Sequence, residues 1–310
     1  METRMSDLQL FRLHRDTVAE LPARPAKLEK HLQSLIETHM CTLLGVRFLA
    51  SEYATGKTHK GRIDSLGLDE NDCPVIVEYK RHSTENVINQ GLFYLDWLLD
   101  HQAEFRWLAM ERLGKSVAED IDWAGTRLIC IAADFTRYDQ HAVQQIARNI
   151  ELLRYKLFAD DLLLLELVNS VSVDDATGTA TGDAGTARSK AQGKDRTFAE
   201  QLALADAQTR EVYESLASWL LALGDDVQER RLKLYTAFRR LKNFACVVLY
   251  PNRMLVMLKI DPDSTRLEEG FSRDVRQIGH WGTGELELTL RTPADLEKAK
   301  PLLERSYLES

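Results

Sequence analysis

Cysteine is scarce in this chain, and what there is lies scattered. Only four occur in 310 residues, Cys41, Cys73, Cys130 and Cys246. None belongs to a Cys-x-x-Cys pair or stands near a histidine at ligand spacing, which argues against a zinc site. Three of them lie in apolar stretches, as buried thiols in a reducing cytoplasm would. Long hydrophobic runs are also missing. The densest, Leu162 to Leu165, falls far short of the roughly eighteen apolar residues of a membrane span, so no membrane association is expected. The first residues, Met-Glu-Thr-Arg-Met-Ser-Asp, contain no apolar signal core, and the expected location is the cytoplasm. Positive charge is not in surplus. The net charge is −8, with 20 basic and 26 acidic side chains in residues 1–170 and 20 and 22 in residues 171–310. Neither half is a basic glove, which argues against binding nucleic acid by charge alone. A cluster of metal-binding carboxylates is itself acidic, however, so the balance leaves metal-assisted chemistry on a polyanion open.

With 44% hydrophobic and 28% charged residues, the composition is that of a soluble globular protein long enough for two ordinary domains. One break in composition separates them. From Val173 to Thr197 the chain is rich in Gly, Ala, Thr and Asp and nearly free of large apolar residues. Such a segment has nothing with which to build a core and reads as a flexible linker. The expected domains are therefore 1–172 and 198–310.

In the first, apolar residues recur at helical spacing from Lys27 to Leu44. Strands are expected at Val46–Tyr53, Arg62–Leu68 and Pro74–Tyr79, the last two joined by the turn-forming Asp69-Glu70-Asn71-Asp72. A helix over Thr84–Leu99, a buried strand at Arg127–Ala132, a helix over His141–Tyr155 and a strand at Leu162–Val168 follow. The order predicts an α/β fold, a mixed sheet with helices on its faces. In the second domain we expect a long helix over Phe198–Leu223 and strands at Leu232–Phe238, Phe244–Tyr250, Met254–Ile260 and Leu286–Leu290. Pro251-Asn252 makes a hairpin turn, and a last helix is capped by Thr292-Pro293. This is a small α+β domain.

One constellation carries chemistry. Glu78 and Lys80 stand two apart at the end of a strand and so share a face. Asp64 lies on the preceding strand, which a tight turn makes its neighbour. Two carboxylates and an ammonium then converge at one sheet edge. Carboxylates held together repel, and a divalent cation resolves the repulsion. Hard oxygen ligands with open positions suit Mg²⁺ or Mn²⁺, and such a site permits phosphodiester hydrolysis, with Lys80 orienting water or stabilising charge on phosphorus. The competing reading is a cross-strand salt bridge on a half-exposed face.

Context adds to the triplet. Gly61-Arg62-Ile63-Asp64, then Val75-Ile76-Val77-Glu78-Tyr79-Lys80-Arg81, then Gln90-Gly91-Leu92-Phe93-Tyr94 together resemble the PD-(D/E)XK nuclease superfamily, and within it the NucS-type DNA endonucleases. Upstream, Glu29-Lys30-His31-Leu32-Gln33 is similar to the helix that brings a further acid to the metal in that family. The resemblance covers about residues 27–100. It implies a restriction-endonuclease-like fold and metal-dependent cleavage of DNA that leaves a 5′-phosphate. Asp64 and Glu78 would be metal ligands, Lys80 the catalytic lysine, and Glu29 an aid to the metal or its water, with Glu37 on the same helix as its competitor. Gln90 and Tyr94, one turn apart, would contact the substrate backbone or brace the site. Arg62 would touch phosphate or form a surface ion pair. The chain departs from the NucS type in having only about 26 residues before the core and a different domain after it, so mismatch specificity is not carried over.

The most distinctive stretch of the second domain is Gly279-His280-Trp281-Gly282-Thr283-Gly284-Glu285-Leu286. It is similar to a bacterial domain of unknown function found behind predicted nucleases. His280 and Trp281 could stack on or hydrogen-bond a base. The alternative is a structural turn with Trp281 packed in the core. Arg230, Arg231, Lys233, Arg239, Arg240 and Lys242 form either a phosphate-contacting strip or a solvated face.

The expectation is thus a Mg²⁺- or Mn²⁺-dependent DNA endonuclease with a C-terminal domain for recognition or regulation. RNA stays open as a substrate. A homodimer is expected because cutting both strands of a duplex is easiest with two-fold symmetry. The reading from a different class is a non-catalytic module that holds nucleic acid or a protein on a nuclease fold.

Overall fold

Residues 8–26, 28–56, 60–81, 87–159, 161–171 and 196–310 are described by a computed structural model. Most of the expected linker, through residue 195, lies outside them, as do Lys27 and the first residues of the helix expected from Thr84. Two units divide the chain. The first comprises Met1–Leu68 and Pro74–Val173; the second comprises Asp69–Cys73 and Asp174–Ser310. Among the described residues no helix is long and apolar enough to cross a membrane.

The first unit opens with a separate hairpin, β1 (Leu10–Leu13) and β2 (Val18–Leu21), then a short β3 (Ala23–Arg24). The expected first helix is two, α1 (Glu29–Thr38) and α2 (Met40–Leu44), broken at His39 and ended by Gly45 in the left-handed conformation. β4 (Val46–Ala54), β5 (Arg62–Asp69) and β6 (Pro74–Lys80) follow. Next come α3 (Val87–Asp100), α4 (Gln102–Leu113), α5 (Lys115–Glu119), β7 (Arg127–Ala132), α6 (Arg137–Gln144), β8 (Asn149–Phe158) and β9 (Leu162–Val171).

Among the described residues β3 to β9 form a seven-stranded sheet. β6 pairs antiparallel with β5 on one side and parallel with β7 on the other, and β7 pairs parallel with β8. β8 pairs antiparallel with β9 along its length and with β3 at its end. The parallel pairs need crossovers, which α3–α5 and α6 supply. This is the mixed, helix-flanked sheet the residue pattern predicts.

Turn chemistry fixes the β5–β6 hairpin. Asp69 Oδ1 accepts from the amides of Asn71 (2.8 Å) and Cys73 (3.0 Å), and Asp72 takes a left-handed φ of 58°. Gly67 lies where β5 meets β4. A Cβ there would come within 2.3 Å of Val46 Cγ1 and 2.9 Å of the Arg47 carbonyl oxygen. Gly67→Ala is expected to cost about 1–3 kcal/mol. A lowered urea midpoint with an unchanged m-value would show it.

Where the spacing predicts a helix over His141–Tyr155, the chain forms the end of α6 followed by β8. α6 starts earlier, at a capping box in which Thr136 and Asp139 exchange hydrogen bonds. β8 is buried along nearly its whole length, and its alternation of apolar and polar residues (Ile150 and Leu152, then Leu153, Tyr155 and Leu157) slips by one at the register shift between Leu152 and Leu153, which breaks the two-residue period. Its charges are paired in the interior. Glu151 meets Arg127 of β7 at 2.7 Å with both side chains buried.

In the second unit, α7 (Phe198–Leu204) and α8 (Ala207–Leu221) replace the single long helix. Ala205 is extended, and Asp206 caps α8 by accepting from the Thr209 amide. The strands are β10 (Gln228–Arg231), β11 (Thr236–Arg239), β12 (Asn243–Tyr250), β13 (Arg253–Leu258), β14 (Ser272–Asp274) and β15 (Leu286–Leu290). They form an antiparallel sheet in the order β10-β11-β12-β13-β15-β14. β10 and β14 were not legible, being short and polar. The final helix, α9 (Pro293–Glu309), begins with a Thr292–Asp295 capping box. Alternate residues of the inner strands, with Tyr213, Leu216 and Leu220 of α8 and Leu296 and Leu303 of α9, make the core.

Candidate active site

The ladder between β5 and β6 runs from Leu68↔Pro74 to Ser65↔Val77. Beyond that pair, side chains take the place of the carbonyls. Glu78 Oε1 accepts from the Asp64 amide at 3.1 Å, and Asp64 Oδ2 accepts from the Tyr79 amide at 3.0 Å. Each carboxylate thus clasps the backbone of the opposite strand. Glu78 is fully buried and Asp64 half-buried.

This placement is electrostatically costly. Burial first, and the Asp64 charge second, push the Glu78 carboxyl up to about 9. Burial also raises Asp64, against the lowering effect of the Tyr79 amide and Lys80. The pair therefore resists holding two negative charges. Glu78 Oε2 is buried and meets no N–H or hydroxyl donor among the described residues; the raised carboxyl can instead share a proton with Asp64, a place that a divalent cation can also take.

Lys80 follows on the same face as Glu78. Its mostly buried side chain places Nζ 3.4 Å from Glu29 Oε1. Glu29 is the first residue of α1, and its other oxygen accepts from the Arg81 amide at 3.1 Å. Glu37 is occupied elsewhere: its Oε1 stands 2.7 Å from Ser65 Oγ and 2.9 Å from Gln33 Nε2. Of the two α1 acids, Glu29 is the one beside Lys80.

Tyr94 is buried, and its hydroxyl accepts from the Arg62 amide at 3.2 Å. A Cβ at Gly61 would lie 2.5 Å from the Tyr94 ring. The Gly61-Arg62 step is thus where β5 rests on α3, and the contact made by Tyr94 is a brace. Gln90, one turn earlier, is half-exposed. Arg62 is exposed, with Nη1 3.6 Å from Glu52 Oε2.

Gln33 has a role that the residue pattern does not predict. Its buried amide donates to the Asp64 carbonyl (2.8 Å) and lies 3.2 Å from Ser51 Oγ, tying α1 to β5 and β4 at the level of the acids. The signal was present as a polar residue beside the apolar stripe Leu32, Ile36, Met40.

Asp64 and Glu78 are the groups that could hold a hard divalent cation. The crowded acids and the Glu78 oxygen that meets no such donor fit one. Among the described residues no three His, Cys, Asp or Glu side chains stand together as a metal cage. Two carboxylates, with water and a phosphate completing the shell, is a sufficient donor set for Mg²⁺.

In the second unit His280 is half-buried and Trp281 is exposed. The basic residues of β10–β12 are largely engaged locally. Arg239 donates to the Leu241 carbonyl at 2.7 Å, Arg240 pairs with Asp226 at 2.7 Å, and Arg231 pairs with Glu229 at 2.9 Å.

Residues 198–310 match the family model described as Domain of unknown function (DUF5655). A protein of Haemophilus influenzae (strain ATCC 51907 / DSM 11121 / KW20 / Rd), described as an uncharacterized protein, is 26% identical over 303 residues, 96% of this chain and 99% of the relative. Among solved structures, a repair endonuclease from Pyrococcus abyssi is similar at 19% identity and a TM-score of 0.28, over 44% of this chain and 50% of that one. The EndoMS-dsDNA2 complex is similar at 16% identity and a TM-score of 0.25, over 47% of this chain and 64% of that one. The chain thus spans half to under two thirds of the length of these solved structures.

Proposed function

We propose that the first unit is a Mg²⁺- or Mn²⁺-dependent DNA endonuclease. One observation carries the reading: two crossed carboxylates, Asp64 and Glu78, with a buried Glu78 oxygen that meets no N–H or hydroxyl donor among the described residues, stand at the edge where Lys80 also ends. A surface salt bridge would leave neither a raised carboxyl nor a buried oxygen of this kind. The ordered motifs around Asp64, Glu78-x-Lys80 and Gln90-x-x-x-Tyr94 supply the choice of DNA.

When bound, the cation would supply Lewis acidity to the scissile phosphate. The chain's own residues do the rest. Asp64 and Glu78 would hold that cation, each being clamped to a backbone amide of the opposite strand. Lys80 Nζ orients the attacking water and stabilises charge growing on the phosphoryl oxygens. Glu29 holds that ammonium in place. Gln33 and Tyr94 keep β5 fixed beneath it. Water adds to phosphorus, the bond to the 3′ oxygen breaks, and the products are a 5′-phosphate and a 3′-hydroxyl.

The test is cleavage of labelled single-stranded, duplex, mismatched and branched DNA with Mn²⁺, with Mg²⁺ and with chelator. Cutting that requires the metal and leaves 5′-phosphate ends is expected. If neither DNA nor RNA is cut, and Mn²⁺ does not raise the melting temperature, the reading fails and a binding module on a nuclease-like fold replaces it.

A further inference from the structure

The sheet of the second unit has two faces of different character. Phe244, Val247, Leu249, Val256 and Leu288 belong to the main core, which includes helix residues. Cys246, Val248 and Met257 form a smaller cluster with Tyr235 on the other face. Strand alternation puts Tyr250, Arg253, Leu255 and Glu287 on that second face too. Two depressions open there side by side, of about 280 and 440 Å³, and both are lined by Val248, Tyr250 and Trp281. The larger is within the size range of small-ligand sites, roughly 300–1,000 Å³.

The loop that carries Trp281 is fastened on its far side. Gly282 has a φ of +82°, and a Cβ there would lie 2.4 Å from Cys246 Cβ. A Cβ at Gly284 would lie 2.7 Å from Leu258 backbone atoms. The Thr283 amide donates to Cys246 Sγ at 3.3 Å, and the Glu285 amide to the Leu258 carbonyl at 3.0 Å. The glycines are thus structural, as a turn would need. The tryptophan they support is nevertheless 43% exposed and Tyr250 is 36% exposed. An aromatic ring held out on a tethered loop loses little freedom on meeting a ligand.

A cation is fixed in the same depression. Arg273 Nε and Nη2 lie 2.7 and 3.0 Å from the two oxygens of Glu287. That carboxylate is buried, while the arginine side chain is 56% exposed. The buried acid orients the guanidinium, and Arg273 and Trp281 line the same depression. Arg253 lies 4.8 Å over the Tyr250 ring, and Arg196 lines the smaller depression. Flat aromatic surfaces, an apolar floor and oriented guanidinium groups are the elements that hold unstacked bases together with their phosphates.

We propose that this face binds a segment of single-stranded DNA, one base lying against Trp281 and an adjacent phosphate at Arg273. A duplex does not fit the same description, because its bases are already stacked and offer no face to a side chain in a depression. The choice of DNA rests on the nuclease reading; the platform itself does not depend on the metal chemistry.

The experiment is fluorescence anisotropy of a labelled mixed-sequence single strand on the full chain, in chelator so that nothing is cut. The wild type is expected to bind the single strand at least about tenfold more tightly than the duplex. Trp281→Ala should lose about tenfold in single-strand affinity, in line with the loss of one base stack, with an unchanged melting temperature because the ring is exposed. Arg273→Gln should weaken binding and flatten its salt dependence by about one phosphate contact. Equal binding of single strand and duplex by the wild type, or wild-type affinity in both Trp281→Ala and Tyr250→Ala, would overturn the proposal. So would a mononucleotide that competes as well as the strand. Cleavage without Trp281-dependent binding would sink this inference alone, and Trp281-dependent binding without cleavage would sink the nuclease reading alone.

Discussion

Lys80→Ala is expected to reduce cleavage by about two to three orders of magnitude while leaving intact the rise in melting temperature that Mn²⁺ produces, whereas Asp64→Ala loses both. The difference follows from what the two side chains contact. Asp64 is one of the paired acids and also holds the Tyr79 amide, so under the proposed reading its removal takes away a ligand. Lys80 stands 3.4 Å from Glu29, and although its charge also bears on Asp64 and Glu78, an ammonium has no lone pair to give a cation. Its loss removes a charge that acts on the reacting phosphate, an effect of roughly 10²–10³ in rate where a single preorganised donor is deleted. Melting curves with and without Mn²⁺, beside cleavage rates for both variants, would check it. If Lys80→Ala cleaves like the wild type, the ammonium is structural and the assignment of its role is wrong.

The second large effect concerns stability in the absence of metal. Glu78 has its folded-state pKa raised from an ordinary 4.5 to about 9. From about pH 4.5 to 9 the folded state therefore binds more protons than the unfolded state, and stability falls as pH rises through that window. Asp64, raised in the same direction, adds to the slope. The stabilising contribution of the protonated carboxyl is complete below pH 4.5 and gone above about 9. A shift of this size corresponds to an effect on the order of a few kcal/mol. Glu78→Gln, neutral at every pH, is expected to flatten the decline and to make the metal-free protein more stable than the wild type at pH 9. Urea midpoints at pH 6 and pH 9 in chelator would measure it. Parallel slopes for the two proteins would show that Glu78 is not the titrating group. Mn²⁺ is expected to flatten the wild-type slope as well, since a cation replaces the proton.

Much of the fold was legible because its signals are local. Val75, Ile76 and Val77 are β-branched residues bounded by a proline and a turn, and β6 forms there. The turn after Asp69 and the cap at Thr292 depend on side chains reaching two or three residues along the chain, so sequence spacing reveals them. β8 was hidden for a physical reason. Its alternation of apolar and polar residues changes phase between Leu152 and Leu153, where the register shifts, and its charges, Glu151 and Arg154, look like solvent-facing residues until their partners are known. Those partners, Arg127 for the first and Asp134 and Glu166 for the second, lie on other elements. The break between α7 and α8 was hidden differently. Asp206 could sit within a helix, and only its cap on the Thr209 amide makes it a start.

At the candidate site, alternation along one strand was enough to pair Glu78 with Lys80, and the short hairpin was enough to bring Asp64 close. What could not be read was the manner of the approach. Neither the crossed hydrogen bonds to backbone amides nor the tie from Gln33 to the Asp64 carbonyl leaves a mark in spacing. Tyr94 was legible as one turn from Gln90, yet its packing against Gly61 depends on the angle between α3 and β5, which sequence does not encode locally.

The crossing of the two acids also limits how they can serve an ion. One oxygen of Asp64 and one of Glu78 already accept from the opposite strand, so each acid has one oxygen with both lone pairs still to give. An octahedral cation would then take two positions from the protein and keep about four for solvent and phosphate. Under the proposed reading the hairpin would act as a stoichiometric limiter: with half of each carboxylate turned to its own backbone, most positions around an ion would be left for solvent and substrate.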